Sequence, residues 1–252
     1  MAKKLSKSMD YILPSTDLLE PLDKTLDHQS HTDEIKRQYQ IIEKTLADYR
    51  VNGKVTGVTR GPSVTRFKLE PAPFAKVGHF VRQADDIALR LAVPYVRMDM
   101  PIPGEAAIGI EVPNRSRDIV TFRELVECEA VRKNPSRLCV GLGKDIEGKV
   151  ITIDLAKMPH LLIAGNSGSG KSVCVNALLA GIMYKARPDE VRLILVAPHV
   201  GKLTNYNGIP HLMAPVITDA KEGVSALCWA EGEMERRYKS FADTRVRDIK
   251  AV

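Results

Sequence analysis

Leu161-Leu162-Ile163-Ala164-Gly165-Asn166-Ser167-Gly168-Ser169-Gly170-Lys171-Ser172-Val173 is the stretch on which the fold turns. Residues 165–172 have the Gly-x-x-x-x-Gly-Lys-Ser spacing of a phosphate-binding loop. The apolar run 161–164 is expected to lead in as a strand, and residues 173–184 to lead out as a helix. That strand, loop and helix order argues against a glycine-rich surface turn that happens to precede a lysine. Gly165, Gly168 and Gly170 let the backbone wrap tightly with its amide hydrogens turned inward. The helix that starts near Lys171 adds the positive end of its dipole, Lys171 offers an ammonium to the outer phosphates, and the Ser172 hydroxyl is placed to ligate magnesium. The spacing therefore predicts a site for ATP and Mg2+ built from Gly165, Asn166, Ser167, Gly168, Ser169, Gly170, Lys171, Ser172 and Val173, with Ser172 as the metal ligand.

Working outward from the loop, the pattern alternates strands and helices. Residues 138–143 and 149–155 flank a Lys144-Asp145-Ile146-Glu147-Gly148 turn and read as a hairpin. Downstream come an apolar strand at 192–197, a short strand about 215–218, and a long helix from 220 to about 242. On that helix Val224, Leu227, Cys228, Met234, Tyr238 and Phe241 recur at helical spacing, with Trp229 beside them, which predicts a buried face. Such alternation implies a mainly parallel sheet covered by helices.

The first half reads differently. Residues 1–33 are polar and punctuated by Pro14 and Pro21, as in a linker or tail. From Asp33, Ile35, Tyr39, Ile42, Leu46 and Tyr49 recur at three- and four-residue steps, a helix of about four turns for which Thr32 or Asp33 is the expected cap. Strands are expected at 54–59 and 64–70 around a turn at 60–63, with Thr65, Phe67 and Leu69 facing a core. A helix at 81–92 and strands at 96–100 and 107–112 complete an α+β module. The polar stretch 127–137 reads as the seam, so the expected division is 1–33 tail, 34–135 accessory domain, and 136–252 nucleotide-binding domain.

With 252 residues, 44% hydrophobic and 27% charged, the chain has the make-up of a globular protein of one large or two ordinary domains. Cys128, Cys139, Cys174 and Cys228 form no Cys-x-x-Cys pair, which argues against a zinc site or a disulfide framework and for small apolar fillers in a reducing compartment. No apolar run approaches the roughly 20 residues of a membrane helix, and Met1-Ala2-Lys3-Lys4-Leu5 lacks a signal-peptide core, so a cytoplasmic location is expected. A net charge of +6 is compatible with a polyanionic partner but does not establish one. Basic clusters such as Arg236-Arg237-Tyr238-Lys239 read first as solvated helix faces.

Several strings carry a family resemblance. Gly61-Pro62-Ser63-Val64-Thr65-Arg66-Phe67, Gly109-Ile110-Glu111-Val112-Pro113-Asn114, Gly143-Lys144-Asp145-Ile146 and Met158-Pro159-His160-Leu161 resemble the FtsK/SpoIIIE DNA translocases. Gly208-Ile209-Pro210-His211-Leu212 and Glu233-Met234-Glu235-Arg236-Arg237-Tyr238 do so too, and the resemblance runs from about residue 34 to 250. It implies a RecA-like ATPase domain preceded by a smaller accessory domain. It also implies a hexameric ring that hydrolyses ATP to pull double-stranded DNA during chromosome segregation and cell division. Family members are often anchored in the membrane by an N-terminal region, which has no counterpart in these residues.

Departures from the family pattern qualify that expectation. After the strand at 192–197 the family is expected to place an aspartate, then Pro and Lys, then a glutamate. This chain reads Ala197-Pro198-His199-Val200-Gly201-Lys202, with Ala197 at the aspartate and Lys202 at the glutamate. The first acid steadies hydrated magnesium and the second orients the attacking water. Losing one such contribution costs about 3 to 4 kcal/mol at the transition state, so hydrolysis is expected to fall at least about a hundredfold. Asp219, at the end of the next apolar segment, is a candidate stand-in acid, although Thr218-Asp219 also makes a helix cap. The domain is expected to be incomplete, since a RecA-like core needs further strands. Two readings stay open: an ATP-binding motor region with impaired hydrolysis, and a non-hydrolysing nucleotide-binding or assembly module. A small-molecule kinase is a third, disfavoured by the family strings.

Overall fold

The computed structural model describes residues 11–20, 28–158, 160–198, 203–246 and 249. Two compact units divide the chain: Ser15–Leu162 is one, and Met1–Pro14 with Ile163–Val252 is the other. The division falls at Leu162/Ile163, downstream of the polar stretch expected as the seam, and the 139–154 hairpin lies within the first unit.

In that unit, α1 (His28–Asp48) begins before Asp33, because its first turn is polar and carries no apolar period. Ile42 and Leu46 are buried on its inner face. β1 (Gly53–Arg60) and β2 (Val64–Pro71) form an antiparallel hairpin, and the Gly61 N–H closes the turn on the Val64 carbonyl at 2.9 Å. The alternation in β2 holds: Thr65, Phe67 and Leu69 are fully buried. Phe67 alone contributes about 1.5–3 kcal/mol by leaving water.

The helix expected at 81–92 is two pieces, α2 (Val77–Val81) and α3 (Ala84–Leu91). They meet at a tight turn in which the Gln83 N–H bonds the Phe80 carbonyl at 3.1 Å. Ala92 ends α3 in the left-handed region at φ 54°. β3 (Arg97–Asp99) and β4 (Ile108–Pro113) complete a four-stranded antiparallel sheet of order β1-β2-β4-β3. Phe67, Ile110, Ile42, Phe80 and Ile87 share its core. On the other face Arg66 bridges Asp99 at 3.0 Å and Glu111 at 2.7 Å, tying the three strands β2, β3 and β4.

The polar seam holds more structure than its composition suggests. α4 (Phe122–Glu127) starts with a capping box in which Thr121 and Glu124 satisfy each other's backbone N–H groups, and α5 (Glu129–Arg132) follows. Burial pushes the Glu124 carboxyl up, but Lys144 on β5 and the Thr121 amide outweigh it and hold it below its usual range. β5 (Cys139–Lys144) and β6 (Val150–Asp154) form the expected hairpin, and a Cβ on Gly141 would lie 2.9 Å from the Leu125 Cβ, so α4 packs directly on β5. The four cysteines form no disulfide among the described residues; Cys139 is buried, as a filler should be, whereas Cys228 is exposed.

In the second unit α6 (Lys171–Lys185) follows the phosphate-binding loop, and α7 (Ala220–Thr244) closes the described chain apart from its last residues. Between them the backbone pairs in parallel, Leu193 with Leu212 and Val196 with Ile217. The register slips by two residues between those bridges because the partner carries Ala214-Pro215, and proline has no N–H to donate. Leu179 of α6, Leu195 and Val216 form a small core.

Two expectations fail in this half of the chain. Residues 161–164 form no strand: Leu161 and Leu162 are exposed, and among the described residues no segment pairs with them. The apolar face of α7 is not buried either. Val224 (61% exposed), Leu227 (69%) and Tyr238 (64%) face outward, and Gly223 is the buried residue of the helix. α7 touches the parallel-paired 193–197 segment through its first turn, where a Cβ on Gly223 would lie 3.1 Å from the Val196 Cγ1. Helical periodicity reports that a face is apolar, not that something covers it. Among the described residues no helix is long and apolar enough to cross a membrane.

Candidate nucleotide site

The loop has the conformation its glycines permit. Gly168 (φ 80°) and Gly170 (φ 92°) occupy the left-handed region, where a side chain would strain the backbone. Gly165 lies close to a side chain instead: a Cβ there would meet the Ser169 Oγ at 2.6 Å and force that hydroxyl to move. The Ser169 N–H closes the turn on the Asn166 carbonyl at 3.2 Å. Gly170 caps α6 without a side chain, so no protein carboxylate or hydroxyl from the cap competes at the helix N-terminus.

Lys171 is the first residue of α6, and its ammonium donates to the Gly165 and Asn166 carbonyls, both at 2.8 Å. The charge is thus already drawn across the mouth of the loop. Ser172 follows it in the first helical turn, half-buried, and Val173 is exposed. Residues 165–170 are all exposed, so the loop is open to a ligand. The donor set, left-handed glycines with an ammonium and a hydroxyl at a helix start, fits a nucleotide triphosphate with its magnesium.

The residues singled out downstream are placed as follows. Ala197 ends the 193–197 segment half-buried, its N–H bonded to the Ile217 carbonyl at 2.8 Å. A methyl group therefore stands where the strand ends. His199 and Lys202 lie outside the described residues. Asp219 caps α7, accepting from the Lys221 N–H at 2.8 Å and the Glu222 N–H at 3.1 Å. Arg236 and Arg237 both bond Glu233, at 2.7 to 2.8 Å, so these cations are engaged along their own helix.

Residues that motif spacing could not single out brace the loop's helix. The Tyr206 hydroxyl donates to the Asn176 Oδ1 on α6 at 3.2 Å, and burial pushes the Tyr206 phenol up. One residue on, the Asn207 Oδ1 accepts the Val216 N–H at 2.7 Å. An asparagine on one helix and a tyrosine thirty positions later carry no joint signal in sequence.

Comparison with known proteins agrees with this geometry. Residues 121–252 match the FtsK/SpoIIIE family and residues 13–114 match the FtsK alpha domain. The chain is 52% identical over 210 residues to the DNA translocase FtsK of Caldanaerobacter subterraneus subsp. tengcongensis, which covers 83% of this chain and 30% of that protein. It is 47% identical over 251 residues to the DNA translocase FtsK of Clostridium tetani, covering 100% of this chain and 34% of that one. Against the DNA translocase SftA of Bacillus subtilis the identity is 47% over 239 residues, 95% of this chain and 25% of the relative. The chain thus spans between a quarter and about a third of the length of these relatives. Matched over 13–114 and 121–252, and 47–52% identical to these relatives over most of its length, this chain belongs to the FtsK/SpoIIIE family.

Proposed function

We propose that this chain is the ATP-binding motor region of a double-stranded DNA translocase whose hydrolysis step is impaired. The 165–172 loop supports the first half of that reading: residues 165–170 are exposed, the left-handed glycines suit an anion cradle, and Lys171 waits at its mouth. On binding, the ammonium exchanges the Gly165 and Asn166 carbonyls for phosphate oxygens. Ser172 contributes its hydroxyl to magnesium, which supplies charge neutralisation at the phosphates.

Ala197 supports the second half. It ends the strand where a carboxylate is needed, and a methyl group neither holds a hydrated cation nor polarises water. The same observation favours a second reading, a non-hydrolysing nucleotide-binding or assembly module. Assembly as a hexameric ring, a cytoplasmic site of action, and a part in chromosome partition and cell division rest on family membership.

The test combines two variants. Lys171→Ala abolishes binding of a fluorescent ATP analogue, and unchanged affinity would show that the loop is not the site. Ala197→Asp raises DNA-stimulated hydrolysis by about a hundredfold, the worth of one such electrostatic group. If the unsubstituted protein already turns over several ATP per second, impairment is refuted.

A further inference from the structure

The segment before Ser15 groups with the nucleotide-binding unit, although the whole accessory unit intervenes in sequence. Tyr11 shows why. Its ring stands edge-on to the His211 imidazole, with centroids 5.5 Å apart and planes at 86°. His211 is fully buried, and its Nε2 bonds the Ala186 carbonyl at 2.8 Å. Its Nδ1 has no hydrogen-bond partner among the described residues. We propose that Tyr11 is the anchor of an N-terminal strap, which docks in cis on the nucleotide-binding unit and seals His211, the residue that pins the end of the phosphate-loop helix to the parallel strand pair.

His211 sits at a junction. Ala186 is the residue that ends α6, so the imidazole clips the far end of the helix whose first turn carries Lys171 and Ser172. The His211 carbonyl accepts the Leu193 N–H at 2.9 Å, and Met213 donates back to the Leu193 carbonyl at 3.0 Å, the start of the strand that ends at Ala197. One buried side chain and its backbone therefore join α6 to both strands. Water reaching this site would compete for the Ala186 carbonyl that the imidazole Nε2 bonds. An aromatic ring set at right angles over it excludes that water and adds a favourable edge-to-face contact.

The arrangement also has a topological consequence. The chain leaves the nucleotide-binding unit after Pro14 and re-enters it at Ile163, so the accessory unit is an insertion with two connections rather than one. Both ends of residues 15–162 thus continue into the same unit. Nothing in this inference depends on nucleotide hydrolysis.

The experiment reads His211 directly. The full chain is treated briefly with diethyl pyrocarbonate, and modification of His211 is compared by mass spectrometry with that of His79, on the accessory unit, as internal reference. In the unsubstituted protein His211 is protected. Tyr11→Ala is expected to speed its modification about two- to tenfold, the range that loss of one aromatic pair makes accessible to local opening, whereas Tyr11→Phe keeps the ring and stays protected. An unchanged rate in Tyr11→Ala overturns the strap. So does an equal rise in both variants, which would mean that the ring contact is not what seals the site. Protection that fades on dilution of the unsubstituted protein would place the strap in trans, on a second copy, and overturns docking in cis.

Discussion

Gly61 offers a stringent check on the accessory unit, because its environment is backbone rather than side chain. A Cβ at this position would lie 2.7 Å from both the Ile146 Cα and the Ile146 carbonyl oxygen. Ordinary contact begins at 3.4 Å, so Gly61→Ala forces the β1–β2 turn and the β5–β6 turn apart by about 0.7 Å. The Gly61 side cannot yield easily. Its N–H bonds Val64, its carbonyl accepts the Asn114 Nδ2 at 2.8 Å, and the neighbouring Pro62 carbonyl accepts the Asp118 N–H at 2.8 Å. Overpacking against a constrained neighbour costs about 1–3 kcal/mol. Gly57→Ala is the matched control: its new Cβ would lie 3.7 Å from the Lys68 Cβ, an ordinary contact, so reduced freedom of the unfolded chain makes it neutral or stabilising by up to about 1 kcal/mol. The assay is hydrogen exchange at the Phe67 and Ile110 amides, which lie opposite each other in the sheet and report opening of this unit alone. Gly61→Ala should lower their protection about five- to a hundredfold, the same energy expressed as an opening constant. Equal protection in the two variants would refute the close approach.

Two further outcomes follow from α7. The Glu233 carboxyl is held at about 2 by the Arg236 and then the Arg237 guanidiniums. A depressed carboxylate stabilises above its ordinary range and loses that contribution as pH falls toward 2, so a carboxyl-carbon NMR titration should place its midpoint near 2. Glu233→Gln should remove the acid-dependent part of α7 helicity, and an ordinary midpoint would show the bonds to be absent in solution. Asp219→Asn keeps a good cap and should leave α7 intact, whereas Asp219→Ala costs it about 1 kcal/mol. Loss of hydrolysis in Asp219→Asn within the Ala197→Asp protein, with helicity unchanged, would instead make Asp219 a catalytic acid.

The features legible in sequence were those whose cause is local. The 165–172 loop could be read because Gly168 and Gly170 are needed by the backbone itself, through positive φ. The β2 alternation and the 139–154 hairpin were legible for the same reason, since period two and turn chemistry are properties of a few consecutive residues. The split of α2 from α3 was not, because Ala84, Ile87, Ala88 and Leu91 keep helical spacing and nothing in that spacing registers the turn at Gln83. The strand expected at 161–164 failed because four apolar residues suit a strand only if a ladder partner lies alongside.

By itself, then, the sequence determined the tight glycine-rich turn at 165–170, the α+β character of the first half and the family, all of which rest on short-range stereochemistry or on strings of residues in order. Only the tertiary structure decided that Asp219 caps the first turn of α7, that the apolar face of that helix stands open, and that Tyr11 meets His211 within one unit despite their distance in sequence. Each of these depends on which surfaces meet, and a chain's pattern records the chemistry of a surface without recording its neighbour.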